Sequence, residues 1–321
     1  MKIFILGWKW MNSGPQNVNR SYVEASRGKI DCLHSRNRWI YTLEALWHIL
    51  TCDVFVLSGY ERKYALKLIK LLHKKMVFLL HGYMRYEDEI NNWGYPSDLM
   101  DENDRVMMAS DKIIAVSENY SKWIAERYPQ FKDKLTYVNN GVTISPRQKV
   151  AKEKNVIALS GGDRTIKANM YVCRAVEILR NQGLDIKIKL FGHIYNNDSD
   201  ILQIPFIERM DQMQKDEYLD YLDKIPLFVV NSESEPFGLV VADAINCHCS
   251  LLMSRYIGAS SIMKTTDKDI VSDNHDIKEL ADKIKYLLEH DNSDRLLSTV
   301  DPRKCSPEAS CQRLVSICKS L

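Results

Sequence analysis

The chain has 321 residues, 45% of them hydrophobic, which is enough apolar material for two buried α/β cores and makes a two-domain organisation the expectation. Its net charge of +2 is spread thinly: residues 1–145 hold 20 Lys and Arg against 16 Asp and Glu, and the remainder 24 against 26. Neither half is basic enough for a nucleic-acid-binding protein. Apolar runs stay well short of the roughly 18 residues that cross a bilayer, and Met1 to Trp8 reads as a buried first strand instead of a signal-peptide core. A cytoplasmic protein with reduced thiols is expected, its eight cysteines scattered among apolar neighbours, as Cys52, Cys173 and Cys318 are.

Short apolar runs alternate with helical patterns. Ile3–Leu6, Val54–Leu57, Val77–Leu80, Ile113–Val116 and Leu135–Val138 read as strands, with helices such as Trp39–Leu50 and Tyr64–His73 between them. After Asn139-Asn140-Gly141-Val142 and the polar stretch 145–155 the alternation begins again, with strands at Val156–Leu159, Ile186–Phe191, near Ile204–Ile207, Leu227–Val230 and Leu251–Met253. Two doubly wound parallel-sheet domains follow, 1–147 and 148–321, with the active site expected in the cleft between them. The last helix, 307–321, suits either half.

Several loops carry chemistry. The segment Asn12 to Asn19, with Gly14, follows the first strand and offers short polar side chains and amides to phosphate or sugar oxygens; a helix-capping loop is the plain alternative. Residues 62–75 form a basic amphipathic helix. It reads as an ordinary crossover helix, with a peripheral contact to an anionic membrane as the second reading. His81-Gly82 ends a strand, where a side chain emerges at the ligand-binding crevice of an open sheet. Ser160-Gly161-Gly162-Asp163-Arg164-Thr165-Ile166-Lys167 opens a helix near Ala168. Its glycines admit an anion to the backbone, and Arg164 and Lys167 add two positive charges, which suits a diphosphate. Asp198-Ser199-Asp200 invites a metal-dependent transferase reading but fits a solvated loop better, and Cys247-His248-Cys249 lacks the ligand spacing of a metal site. The most informative stretch is Ser232 to Asp243, where Glu235 and Asp243 flank a Pro236-Phe237-Gly238-Leu239 turn. Two carboxylates so placed suit vicinal hydroxyls, and the intervening amides suit a sugar or phosphate.

Ser232-x-x-Glu235-Pro236-Phe237-Gly238-x-x-x-x-Asp243-Ala244 resembles the signature of family-four retaining glycosyltransferases of the GT-B fold, in which two glutamates are separated by seven residues. Gly14, His81-Gly82, Ala115 to Tyr120, Asn140-Gly141-Val142, Arg164 with Lys167, and Ser254 to Gly258 resemble family landmarks in the same order, so the likeness runs through the whole chain. The resemblance implies that Glu235 holds donor-sugar hydroxyls, Asp243 the nucleotide ribose, and Arg164 and Lys167 the diphosphate beside Gly162. It places Gly14 on the phosphate and acceptor side, His81 near the transferred sugar, and the amides of Phe237, Gly238 and Leu239 around the sugar pocket.

It further implies a retaining, metal-independent hexosyltransferase with no cofactor. The substrate would be a nucleotide sugar, a UDP-sugar first, and the acceptor a glycan or a lipid-linked molecule at the inner membrane leaflet. The alternative is a catalytically silent GT-B protein that binds glycan or a partner enzyme. The chain departs from the family pattern at Asp243, where Glu is usual, at His248, where Gly is common, at Asn231, where Pro is frequent, and in the close spacing of Arg164 and Lys167.

Overall fold

The structure is a computed structural model that describes residues 1–10, 13–58 and 63–321, without the side chains of Lys63 and Tyr64. Asn12 of the first polar loop and Arg62 of the basic helix therefore lie outside the described residues. The chain divides into two compact units: Met1–Thr143 with Pro302–Leu321, and Ile144–Asp301.

The first unit is built on β1 (Ile3–Leu6), β2 (Ile30–Cys32), β3 (Val54–Leu57), β4 (Lys75–Leu80), β5 (Lys112–Ala115) and β6 (Leu135–Tyr137), all parallel, in the order β2-β1-β3-β4-β5-β6. β1 and β3 are buried along their whole length, and their runs of Ile, Val, Leu and Phe have the uniform apolarity of strands covered on both faces. Helices α1 (Gly14–Ala25), α2 (Arg38–Thr51), α3 (Lys63–Leu71), α4 (Met84–Asn91), α5 (Ser97–Ala109) and α6 (Glu118–Arg127) make the crossovers. From β2 onward every connection steps in the same direction across the sheet. Right-handed crossovers therefore put α2 through α6 on one face and α1, which steps the other way, on the opposite face. Asn37 caps α2 by accepting the amides of Trp39 and Ile40, and Tyr41, Ala45 and Ile49 turn that helix onto the sheet.

The second unit repeats the plan with β7 (Val156–Leu159), β8 (Lys187–Leu190), β9 (Ile207–Arg209), β10 (Leu227–Val230), β11 (Ser250–Ser254) and β12 (Ile270–Val271), in the order β12-β11-β10-β7-β8-β9. Its helices are α7 (Asn169–Asn181), α8 (Lys215–Asp223), α9 (Leu239–Asn246), α10 (Ile277–Glu289) and α11 (Ser293–Thr299). One core joins α7 and α10 to the sheet through Val172, Val176, Leu179, Leu280, Ile284 and Leu287.

The chain then returns to the first unit through α12 (Pro302–Cys305) and α13 (Pro307–Lys319). There the Ser310 hydroxyl donates to the Asn139 carbonyl at 2.7 Å, Arg313 donates to the Tyr137 carbonyl at 3.0 Å, and the Cys311 thiol reaches the Tyr22 carbonyl of α1. The division thus falls at 143/144 and not at 147/148, and residues 302–321 leave the second unit altogether. Two strands that carried no sequence expectation, β2 and β12, are short strands at sheet edges, as β6 and β9 are at the opposite edges. Among the described residues no helix is long and apolar enough to cross a membrane.

Gly141 is where the return segment docks. A Cβ built there would stand 2.5 Å from Pro307 Cα and 2.9 Å from its nitrogen, both backbone atoms with little freedom to retreat. Gly141→Ala is expected to destabilise the first unit by about 2 kcal/mol. In calorimetry this should lower one unfolding transition and leave that of the second unit in place.

Candidate active site

In the second unit the sheet reverses direction between β7, which leads outward to β8, and β10, which leads to β11. The crevice at the carboxyl ends of two such strands is where an open α/β sheet receives ligands. Two loops meet there, residues 160–168 after β7 and 231–238 after β10.

The first loop is shaped by contact between backbones. Gly162 has φ +64°, and a Cβ on it would stand 1.9 Å from the His193 carbonyl oxygen; one on Gly192 would stand 2.8 and 2.9 Å from the amide nitrogens of Gly162 and Gly161. The Asn169 amide group ties the turn down from inside, donating to the carbonyls of Ser160 at 3.1 Å and Gly162 at 2.9 Å. Asp163 accepts the amides of Tyr195 and Asn196, so its charge serves the neighbouring loop. Arg164, half-buried, donates to the Gly161 carbonyl. A 3-10 turn, Thr165–Lys167, then carries the buried Lys167 inward, ahead of α7.

Lys167 meets Glu235 from the second loop in an ion pair. The Glu235 backbone is clamped on both sides: its amide donates to the Tyr256 carbonyl at 3.3 Å, and its carbonyl accepts the Gly258 amide at 2.9 Å, a parallel bridge to the loop after β11. Gly238 has φ +92°, and a Cβ there would lie 3.0 Å from Glu235 Cγ, so glycine both permits the turn and leaves room for the acid. The Phe237 ring is buried and its carbonyl accepts the Ala259 amide, which leaves the backbone as its surface toward a ligand. Leu239 opens α9, whose first amides have no intrahelical acceptor.

Asp243 lies a helical turn beyond, on α9, where its carboxylate accepts from Lys215 of α8 at 2.5 Å. Burial raises its pKa above the ordinary carboxylate range, and the Lys215 charge opposes that rise. The two acids are therefore separately partnered. Glu233 adds a third polar contact, pairing with His275, whose ring stacks on Tyr171 at 4.5 Å. Asp198 and Asp200 sit in the exposed stretch after β8. His248 bonds the Arg147 carbonyl, and the Cys249 thiol donates to that of Leu222.

In the first unit the sheet reverses between β1 and β3. Ser58, just past β3, donates its hydroxyl proton to Asn19 Oδ1 at 2.7 Å and lies 2.9 Å from His81 Nε2, just past β4. With its single proton spent on Asn19, Ser58 must accept from His81, so Nε2 carries the hydrogen and Nδ1 presents a lone pair. Gly7 makes this approach feasible, since a Cβ there would stand 2.8 Å from the Ser58 carbonyl and 2.9 Å from Asn19 Nδ2. Burial pushes the His81 imidazolium down to about 4, so the ring is neutral at physiological pH. Gly14 begins α1 in the open: apart from its chain neighbours and its own helix, no described residue comes within 4 Å of a Cβ built on it.

Two doubly wound parallel units with a cation and an acid paired at the second switch point have the architecture of GT-B glycosyltransferases. Residues 143–299, nearly the whole second unit, match the family model described as glycosyl transferases group 1, which bears out the resemblance read from the sequence. The chain superposes on HepE of Anabaena, solved with UDP-glucose, with a TM-score of 0.72 at 12% identity over 100% of both chains. Sucrose-phosphate synthase from Thermosynechococcus elongatus gives 0.75 at 12% over 100% of this chain and 98% of its own. A glycosyltransferase from Rickettsia africae gives 0.71 at 14%, covering 99% and 98%. At such identities the likeness is one of fold. A sequence search of curated proteins finds no match.

Several residues around the site gave no sequence signal: Asn169, Lys215 and Ser58 act through tertiary contacts. Gly192 did carry one, as a glycine directly after an apolar strand run. Asn19, read in the first polar loop as a ligand contact, instead accepts from Ser58.

The low pKa of His81 has a stability consequence. The unfolded chain takes up this proton near pH 6.5 and the folded chain only near 4. Its contribution is therefore constant above about pH 6.5, falls with acidification, and levels off below about 4, by about 3 kcal/mol at most. His81→Gln should flatten this part of the profile in denaturant melts run between those pH values. An unchanged slope would show that the ring is not enclosed.

Proposed function

We propose that the protein is a retaining glycosyltransferase that moves a hexose-type sugar from a nucleoside diphosphate sugar, a UDP-sugar first among them, to a glycan or lipid-linked acceptor in surface polysaccharide or glycoconjugate synthesis. The observation that carries the reading is the Lys167–Glu235 pair at the β7/β10 switch point, inside the segment that matches the glycosyl transferases.

In this reading the diphosphate lies on the Gly161-Gly162 turn, where Arg164 and Lys167 meet the charge that grows as the nucleotide leaves. An ammonium has three protons, so Lys167 can hold Glu235 and a phosphate oxygen together. Glu235 grips sugar hydroxyls, the amides beginning α9 line the sugar pocket, and Asp243 takes the ribose once Lys215 yields. His81, neutral and held through Ser58, offers its Nδ1 lone pair to a hydroxyl, and the open face of Gly14 admits substrate. With two fixed cations on the leaving group, the chemistry is proposed to proceed without metal and without a cofactor, on the cytoplasmic side of the membrane. The Asp243–Lys215 pair is the one observation favouring the silent-protein reading, because it occupies a ribose ligand.

The test follows nucleotide release from a panel of nucleotide sugars, with product anomers assigned by NMR once an acceptor is found. Glu235→Gln and Arg164→Ala are each expected to lower release about a hundredfold while the fold persists, and a chelator should change nothing. Binding without release for every donor and acceptor would favour the silent protein. Inversion at the anomeric carbon or loss of activity with chelator would reject the corresponding part of the proposal.

A further inference from the structure

α2 carries an apolar face that stays exposed among the described residues of its own unit. Tyr41, Ala45 and Ile49 are buried toward the sheet, and His48 stacks on Phe4 of β1 at 3.9 Å, which fixes the inward side. The opposite side presents Trp39, Ile40, Leu43, Trp47 and Leu50, with Trp39 79% and Trp47 65% exposed. At 100° per residue these five fall within about one third of the helix circumference, centred opposite the buried stripe. Five large apolar side chains, each more than half exposed, reach or exceed the few hundred Å² that a monomer ordinarily shows in one patch.

The neighbouring α3 lies beside α2 on the same face of the sheet, so the outward sides of both helices look the same way. Its outward residues are Lys67, Lys70 and Leu71. Arg36, exposed, stands just before the other end of the α2 stripe, over the Trp10 ring. Glu44, the single acid on α2, is turned back to accept the amide and ring nitrogen of His34. The exposed acids of this helix layer, Glu89 on α4, Asp98 and Asp101 on α5 and Glu126 on α6, belong to helices beyond α3 and away from the stripe.

We infer that the α2–α3 surface docks on an anionic phospholipid membrane, with Trp39, Leu43, Trp47 and Leu50 entering the interface and Lys67, Lys70 and Arg36 meeting the head groups. Indole rings favour that boundary, having an apolar body and one polar N–H. The basic rim decides between lipid and a second copy: in a twofold interface each patch meets itself, and the rim would face its own charge. Anionic head groups complement it instead, and basic side chains near such a surface each add to binding. The sequence singles out 62–75 as a basic helix; the helix found there is the shorter α3, with Lys75 already in β4, and it supplies the charge while α2 supplies the insertion.

The test sediments the full-length protein with vesicles of phosphatidylcholine, with and without phosphatidylglycerol. The wild type should pellet with the anionic vesicles, release partly at high salt, and shift its tryptophan emission to the blue. Trp39→Ser with Trp47→Ser should lower partitioning by about tenfold or more and abolish the shift. Lys67→Gln with Lys70→Gln should lower it about twentyfold on anionic vesicles only. Unchanged circular dichroism and thermal melting certify both variants as folded. The inference fails if the wild type stays in the supernatant, if it binds phosphatidylcholine alone equally well, or if the tryptophan variant binds like the wild type. A dimer in sedimentation velocity that the tryptophan substitutions dissolve would assign the face to a second copy and overturn the lipid assignment. Vesicle binding needs no turnover, so its failure leaves the transferase reading standing, and the reverse holds.

Discussion

A buried ammonium must have an anion, and in the second unit this requirement joins the two loops that matter. Lys167 leaves the β7 loop almost without solvent, and Glu235 arrives from the β10 loop with its backbone already fixed by Tyr256 and Gly258. Removing either partner would strand the other's charge in a poorly solvated place, a far larger cost than losing a surface pair. The surrounding sequence serves this meeting. Gly162 and Gly192 let two backbones come closer than any side chain would allow, Gly161 leaves room for the Lys167 side chain, Asn169 holds the turn, and Gly238 leaves room beside the acid. Under the proposed function, such a site would have its positive charge in place before a diphosphate arrives, the arrangement that stabilises a leaving group without reorganisation.

Much of this was legible because it depends on local grammar. Apolar runs as uniform as Val156–Leu159 and Leu227–Val230 admit few readings other than buried parallel strands, and the loops after them are where ligand chemistry belongs. The Glu235 turn and the glycine loop stood out for the same reason. What stayed hidden was set by tertiary contact. β2 has three residues with Asp31 in the middle, and β12 has only two, too short for any periodicity. That Lys167 pairs with Glu235, 68 residues away, or that Lys215 takes Asp243, follows from strand order, which the sequence does not spell out. The docking of α13 is similarly invisible, since its apolar positions suit either unit, and the close fit of Gly141 against Pro307 is what assigns it.

The first unit applies the same rule at its own switch point, with hydrogen-bond direction in place of charge. Ser58 can give only one proton, and giving it to Asn19 forces His81 to donate from Nε2. Burial then keeps the ring neutral, so what emerges at the sheet edge is a basic lone pair of fixed orientation and not a cation. An imidazolium there would repel a developing oxocarbenium-like centre, whereas a neutral ring tolerates it and can still accept from a hydroxyl. The outer helix layer of this unit obeys another logic: the inward side of α2 is fully used by the sheet, so the apolar side chains on its outer face contribute nothing to the core they turn away from.

The two acids of the signature segment end in different physical situations. Glu235 sits on a clamped loop and answers a buried lysine; Asp243 sits on a helix and answers an exposed one, since the Lys215 side chain keeps 59% of its surface in solvent. An ion pair with one partner so exposed contributes about 1 kcal/mol or less. Burial meanwhile disfavours a bare carboxylate at 243, so a ligand that donates two hydrogen bonds to it replaces Lys215 on favourable terms. The methylene missing from Asp243, relative to glutamate, thus sets how deep such a ligand must come, while Lys215 sets how firmly the site is held until it does.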